Sequence, residues 1–129
     1  MTASLSDMLQ DMVDQLPGCL HTSVIDGNTG LSLVSVSDEV DALDAAGTDA
    51  YHNDLYRLSK STLEGSPLTD EVSEVIMTSR QARFVSVPVG DSGYLWLVVT
   101  RRDATVGFIQ AMMRKHVEKI GEGLSALVD

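Results

Sequence analysis

The chain of 129 residues is 43% hydrophobic, which is enough apolar material for a compact domain that folds without disulfides or bound metal. We therefore expect one domain covering residues 1–129. The only cysteine is Cys19, and the N-terminus lacks the basic and apolar regions of a signal peptide, so we expect the cytoplasm. The longest apolar run, residues 95–99, is too short to cross a bilayer, and no membrane insertion is expected.

The formal net charge of −10 is divided unevenly along the chain. Residues 1–75 hold 14 acidic and 2 basic side chains, whereas residues 76–129 hold 5 acidic and 7 basic ones. A surface of this sign repels nucleic-acid phosphates and anionic lipid, so both are disfavoured as partners. The acidic residues are interpreted mainly as a solvated surface that keeps the protein in solution.

The first predicted element is a helix over residues 6–16, where apolar residues recur at helical spacing. Ser4 or Ser6 can cap its N-terminus, and Pro17-Gly18 ends it.

A β-hairpin is predicted next, over residues 19–37. Its turn, residues 26–30 (DGNTG), is rich in residues that tolerate positive φ angles or bond their own backbone. Apolar side chains occur on both faces of both strands, which predicts a sheet covered on both sides.

The middle of the chain predicts a long helix from Val40 to Leu63. Gly47-Thr48 weakens its centre by about 1 kcal/mol relative to alanine, so one bent helix and two shorter helices both remain open. The predicted core-facing stripe comprises Val40, Leu43, Ala46, Ala50, Tyr51, Leu55 and Leu58.

Three strands and a helix complete the pattern. Residues 71–77 alternate apolar and charged side chains, which predicts an edge strand, and residues 83–89 form the next one. Residues 94–100 (YLWLVVT) are apolar on both faces, which predicts the centre of the sheet. Asp103 can cap the final helix, whose predicted core-facing stripe comprises Val106, Ile109, Met113, Val117, Ile120 and Leu124.

This order of elements predicts an α+β fold of three layers, αββαβββα. The five strands are expected to form one antiparallel sheet, with the terminal helices on one face and the middle helix on the other.

No motif for catalysis, cofactor binding or metal binding is found. A GxxxxGK[ST] phosphate loop is missing, so nucleotide hydrolysis by this chain alone is not expected. His21, His52 and His116 lie on three different predicted elements without ligand-like spacing. Residues 90–93 (GDSG) resemble a protease nucleophile motif but are interpreted as a hairpin turn, because the partner motifs are lacking. We expect a protein that is not an enzyme.

The middle helix offers a candidate partner-binding surface. It carries more amphipathic area than one core-facing stripe explains, and aromatic residues are favoured at protein interfaces. The alternative is a helix that bends at Gly47, so that the stripe changes face. The candidate residues are Tyr51, His52, Leu55, Tyr56 and Ser59.

Several of these segments together resemble the Roadblock family of dynein light-chain-like domains. They are Pro17-Gly18 before a strand, the turn over residues 26–30, the alanine-containing long helix, the YLWLVV strand, and residues 103–107 (DATVG) at the entry to the last helix. The likeness covers nearly the whole chain in element order. It is strongest to bacterial Roadblock proteins that accompany a small Ras-like GTPase, in some cases within a sensor-kinase-associated system.

The resemblance implies a profilin- or longin-like sheet with strand order 2-1-5-4-3. It also implies a homodimer that pairs the third strands and the middle helices, and a non-enzymatic regulator that binds a small Ras-like GTPase. Some members promote GTP hydrolysis without donating a catalytic residue. The implied dimer-interface residues are Val72, Glu74, Ile76, Ala50 and Leu58. A small-molecule sensor of profilin or PAS-like type, with a pocket between sheet and helix, remains the alternative.

Overall fold

The computed structural model describes residues 4–38 and 45–128, with side chains from residue 47 in the second range. Within these ranges, three helices and five strands follow one another in the predicted order. They are α1 (Leu5–Gln15), β1 (Cys19–Asp26), β2 (Ser32–Ser37), α2 (Ala45–Glu64), β3 (Val75–Thr78), β4 (Ala82–Pro88), β5 (Tyr94–Arg101) and α3 (Val106–Val128).

The strands form one antiparallel sheet in the order β2-β1-β5-β4-β3, which confirms both the predicted sheet and its implied strand order. Strand β5 lies in the centre, with Leu95 opposite Ile25 of β1 and Val98 opposite Val85 of β4. Its residues from Leu95 to Thr100 are all buried, as expected for a strand that is apolar on both faces.

The helices cover the two faces of the sheet as predicted. Helices α1 and α3 pack on one face, around the fully buried Trp96, and α2 packs on the other. The Trp96 indole Nε1 donates to Thr22 Oγ1 at 2.8 Å, and that hydroxyl donates to the Leu97 carbonyl at 2.9 Å. The indole N–H is therefore satisfied inside the larger core, as a buried polar group requires.

The helix ends are fixed by side-chain hydrogen bonds. Ser4 caps α1 in a capping box, since its hydroxyl accepts from Asp7 N and the Asp7 carboxylate accepts from Ser4 N. Thr105, and not Asp103, caps α3, because the Thr105 hydroxyl accepts from Phe108 N at 3.3 Å. The expectation for Asp103 is wrong, and the helix begins two residues later than that cap would require.

Strand β3 is shorter than predicted and begins at Val75 instead of residue 71. Val75 lies opposite Ser86, so continuing the same register would place Ser73 opposite Pro88, which has no N–H to donate. The edge position of β3 is confirmed.

The hairpin is covered less evenly than predicted. All of β1 except Asp26 is buried, whereas Ser32, Leu33, Ser35 and Ser37 of β2 are exposed, because β2 is the other edge of the sheet.

Helix α2 runs without a break through Gly47 and Thr48. The expected helical residues Val40 and Leu43 lie outside the described residues. No helix within the described ranges is both long and apolar enough to cross a membrane.

Candidate functional site

Helix α2 has an unusual face turned toward the sheet. Asp49, His52 and Asn53 are all buried there, and their spacing of three and four residues puts them on one side of the helix. The predicted core-facing stripe of α2 is therefore wrong in its orientation, because polar side chains occupy the buried side and Tyr51 and Leu58 point outward.

Asp49 connects α2 to strand β1. One of its oxygens, Oδ1, accepts from His21 Nε2 at 2.9 Å and from Ser23 Oγ at 2.8 Å. The other ring nitrogen of His21, Nδ1, is 2.7 Å from Ser37 Oγ on β2. His21 and Asp49 are enclosed by protein, so the pair contributes strongly to the position of α2. We refer to Asp49, His21, Ser23 and Ser37 as the Asp49 cluster.

Two further contacts hold the same helix face. His52 Nε2 is 2.6 Å from Ser86 Oγ on β4, and the His52 ring stacks on Phe84 with 6.5 Å between ring centroids. Asn53 Nδ2 donates to the Gly27 carbonyl, in the turn after β1, at 3.2 Å. Burial lowers the pKa of His52 from 6.5 to about 4, and the nearby Asp49 opposes this only in part.

The hydrogen-bonding capacity of the buried polar face of α2 is incompletely satisfied. Asp49 Oδ2, His52 Nδ1 and Asn53 Oδ1 are buried and have no hydrogen-bond partner among the described residues. An unpaired buried polar group costs about 1–3 kcal/mol, so α2 is held less firmly than an apolar helix face of the same area would be.

The order hydroxyl, imidazole, carboxyl in Ser37, His21 and Asp49 is also the order of a nucleophilic hydrolase. In this protein Ser23 donates to the same Asp49 oxygen as His21, and the His21 imidazole is buried beneath α2, out of reach of a substrate. We therefore interpret the Asp49 cluster as a structural contact that holds α2 against the sheet.

The outward side of α2 carries two large, exposed apolar side chains. Tyr51 is 78% exposed and Leu58 is 65% exposed. A groove of about 400 Å³ separates α2 from the edge of the sheet. Its lining residues are Thr48, Tyr51, His52, Leu55, Met77 and Phe84. We call Tyr51, Leu55, Leu58 and Met77 the α2–β3 face.

The five residues predicted to bind a partner do not form one surface. Tyr51, His52 and Leu55 all line the groove, but only Tyr51 is largely exposed, whereas His52 is buried against the sheet. Tyr56 is half-buried against the core of the α2 side, and burial raises its pKa, with a smaller contribution from Glu71. Ser59 is half-buried, and its hydroxyl donates to the Leu55 carbonyl at 2.9 Å.

The residues predicted for a dimer interface are also divided. Ile76 lies on β3 and Leu58 on the outward side of α2, and both are exposed. Val72 and Glu74 precede the strand, and the Glu74 carboxylate accepts from Gln110 of α3 at 2.8 Å. Ala50 lies against Gly30 in the turn of the hairpin: a Cβ placed on Gly30 would lie 3.6 Å from the Ala50 Cα. Ala50 therefore faces the hairpin and not a partner.

Sequence reasoning missed the Asp49 cluster. Its signal is present on two elements: His21 and Ser23 lie two residues apart on one face of β1, and Asp49 and Asn53 lie four residues apart with His52 between them. Neither pattern alone shows that the two polar faces meet.

No group of three or more His, Cys, Asp or Glu residues in the described part of the chain is arranged to hold a metal ion. The buried thiol of Cys19 has its pKa raised to about 11, chiefly by burial, which makes it a poor thiolate ligand.

The geometry described above, a five-stranded sheet of order 2-1-5-4-3 between α2 and the terminal helices, is the fold of Roadblock/LC7 domains. No family model and no curated protein matches the sequence.

Solved structures match over nearly the whole chain. A Roadblock/LC7 domain from Streptomyces avermitilis superposes with a TM-score of 0.82 at 19% identity, over 95% of this chain and 99% of that one. MglB in a tetrameric arrangement gives a TM-score of 0.76 at 12% identity, over 95% and 91%. MglC from Myxococcus xanthus gives 0.65 at 23% identity, over 93% and 98%. The predicted likeness to Roadblock proteins is thereby confirmed in the fold.

Replacing Asp49 by alanine should lower the free energy of unfolding by about 3 kcal/mol, because the substitution leaves the buried His21 and Ser23 donors without their acceptor. The matched control is Asp54→Ala on the exposed side of the same helix, for which we expect a change within about 0.5 kcal/mol. Urea unfolding followed by the fluorescence of the buried Trp96 measures both. Equal free energies of unfolding for the two variants would contradict a structural role for Asp49.

Stability should fall as the pH falls from about 6.5 to about 4, in part through His52. The pKa of His52 is lower in the folded than in the unfolded state, so the unfolded chain takes up the proton first across this window. The loss should approach about 3 kcal/mol below this window. His52→Gln keeps a donor for Ser86 without titrating, so its urea stability should vary less with pH than that of the wild type. Parallel pH profiles would show that His52 is not responsible.

Proposed function

We propose that this protein is a non-enzymatic, Roadblock-type regulator that forms a homodimer and binds a small Ras-like GTPase in the cytoplasm. The observation that carries the proposal is the α2–β3 face, an exposed apolar surface on the outward side of α2 and the adjoining sheet edge. The fold it shares with Roadblock/LC7 domains supports the class of protein.

The outward side of α2 has the composition of a protein interface. A tyrosine and a leucine with most of their side-chain area in water are costly to hydrate, and aromatic anchors of this kind often dominate binding energy. Because α2 is held by its polar side, its apolar side stays available. The Asp49 cluster thus supports the proposal indirectly.

The edge strand β3 supports self-association. It ends the sheet, and its Ile76 and Met77 are each 40% exposed, so its free backbone groups and apolar side chains can both pair with a second copy. MglB, which has this fold, is found in a tetrameric arrangement, so chains of this shape do assemble.

A small-molecule sensor is the second candidate, favoured by a cavity between α3 and the sheet. The cavity has a volume of about 170 Å³ and is lined mainly by apolar residues, among them Val85, Val87, Met113 and Val117. Ligand pockets usually measure about 300–1,000 Å³, so we rank this candidate below the regulator.

The protein should run as a dimer in light-scattering measurements, at twice its chain mass of 13.9 kDa. Ile76→Lys should convert it to a monomer, because it places a charge at the centre of the paired edge. The matched control is Leu33→Lys on the opposite edge strand β2, since Leu33 is 39% exposed and Ile76 is 40% exposed. A monomeric wild type whose melting temperature responds to a small molecule would favour the sensor instead.

The wild-type protein should retain a small Ras-like GTPase from the same organism in one nucleotide state and not in the other. Tyr51→Ala should weaken this capture about tenfold or more, as truncation of an aromatic anchor does, with stability changed by less than about 0.5 kcal/mol. Leu31→Ala removes an exposed apolar side chain just before the opposite edge strand β2 and should leave capture unchanged. A wild type that captures no GTPase in either state would overturn the proposal.

A further inference from the structure

Arginines converge at one end of the sheet. The turn between β3 and β4 carries Arg80 and leads into Arg83, and the loop between β5 and α3 carries Arg102, next to Arg101 at the end of β5. The two segments are neighbours, because Ala82 pairs with Arg101 and Arg102 N donates to the Gln81 carbonyl at 3.0 Å. Besides Arg101, three of the chain's 9 basic residues therefore lie on these two neighbouring segments, in a protein that has 19 acidic ones. We refer to Arg80, Arg83 and Arg102 as the arginine cluster.

Two of these guanidinium groups are held in place by backbone carbonyls and a hydroxyl. Arg83 Nε donates to the Ala104 carbonyl at 2.8 Å and to the Arg102 carbonyl at 3.2 Å, and its Nη1 donates to Thr78 Oγ1 at 3.2 Å. Arg102 Nη1 donates to the Ser79 carbonyl at 3.2 Å. The five donors of a guanidinium are not exhausted by these bonds, so each group keeps further N–H donors for a ligand.

The described carboxylates do not neutralise the positive charge of the cluster. Across residues 4–38 and 45–128, none of the three arginines forms an ion pair with a carboxylate. Asp103 is the one acidic residue in the two segments, and its Oδ1 lies beside Gly18 at the start of β1. Arg80 and Arg102 are exposed and Arg83 is half-buried.

We propose that the arginine cluster is a docking site for a short acidic segment of a protein partner, one rich in aspartate and glutamate. Guanidinium groups fixed before binding lose little freedom when they receive carboxylates, and their fork geometry matches a carboxylate's two oxygens. The site lies outside the outward side of α2 and does not depend on the proposed GTPase regulator role.

The small extent of the arginine cluster favours a short acidic peptide over a membrane or a nucleic acid. A membrane or a nucleic acid presents charge over a long distance, and it would also meet the remaining surface of a chain with net charge −10. A short segment can stay within the cluster, because charges farther away than about 8 Å are largely screened at physiological salt. A short carboxylate-rich peptide is therefore the partner that the charge distribution fits.

The test measures fluorescence anisotropy of a short fluorescein-labelled peptide of aspartate, glutamate and glycine, titrated with the full chain at low and at high salt. The double variant Arg80→Glu with Arg102→Glu should weaken binding by about tenfold or more. Arg83 is left in place because it joins β4 to the β5–α3 loop. The matched control, Arg114→Glu with Lys119→Glu on exposed positions of α3, makes the same change in net charge and should alter binding by less than about twofold.

Two further probes distinguish the source of the anion: a phosphoserine peptide of the same length, and vesicles containing phosphatidylserine. Selective loss of acidic-peptide binding in the Arg80 and Arg102 double variant, with its thermal unfolding unchanged, supports the proposal. The proposal is overturned if the wild type does not bind the acidic peptide, if both double variants weaken binding equally, or if the phosphopeptide or the vesicles bind more tightly than the acidic peptide.

Discussion

The hydrogen bonds that Asp49 accepts from His21 and Ser23 determine which side of α2 faces the sheet. A carboxyl group that is removed from water needs donors, and in the described structure strand β1 supplies both of them. Rotating the helix to bury Tyr51 and Leu58 would expose or orphan these groups. The apolar side chains therefore stay outside, and the surface proposed to bind partners exists because a polar contact occupies the inside.

This arrangement separates the two cores of the protein by chemistry. On the α1 and α3 side, large apolar residues surround Trp96, and the hydrogen bonds that run from its indole through Thr22 are satisfied. On the α2 side, a smaller apolar cluster around Leu97 shares the interface with the Asp49 cluster and with His52. Among the described residues, three buried polar atoms on that side lack a hydrogen-bond partner, which weakens the attachment of α2 to the sheet. A partner that covers its outward face would add the apolar burial that its inner face lacks.

The sequence was sufficient to predict the layers, the order of elements and the central place of β5, because these follow from local patterns such as the unbroken apolar run at residues 95–99. The strand order itself came from the resemblance to a family. The orientation of α2 could not be predicted from its own sequence, because its tyrosines and leucines have the spacing of a core-facing stripe. Its polar partners, His21 and Ser23 on β1 and Ser86 on β4, are distant in the sequence and are brought to the helix only by the folded sheet. The start of β3 depended in the same way on Pro88, a residue of the neighbouring strand.

The two proposed surfaces meet at one strand. Thr78 is the last residue of β3, whose edge is proposed to pair with a second copy, and its hydroxyl also accepts from Arg83 in the arginine cluster. In an antiparallel pair of β3 edges, the Thr78 end of one strand lies near the Val75 end of the other, so the cluster of one copy would lie beside residues 71–74 of its partner, which include Glu71 and Glu74. These carboxylates and an acidic segment would then compete for the same guanidinium groups. In the proposed dimer, self-association and acidic-segment binding would therefore oppose each other, because both place carboxylates against the arginine cluster.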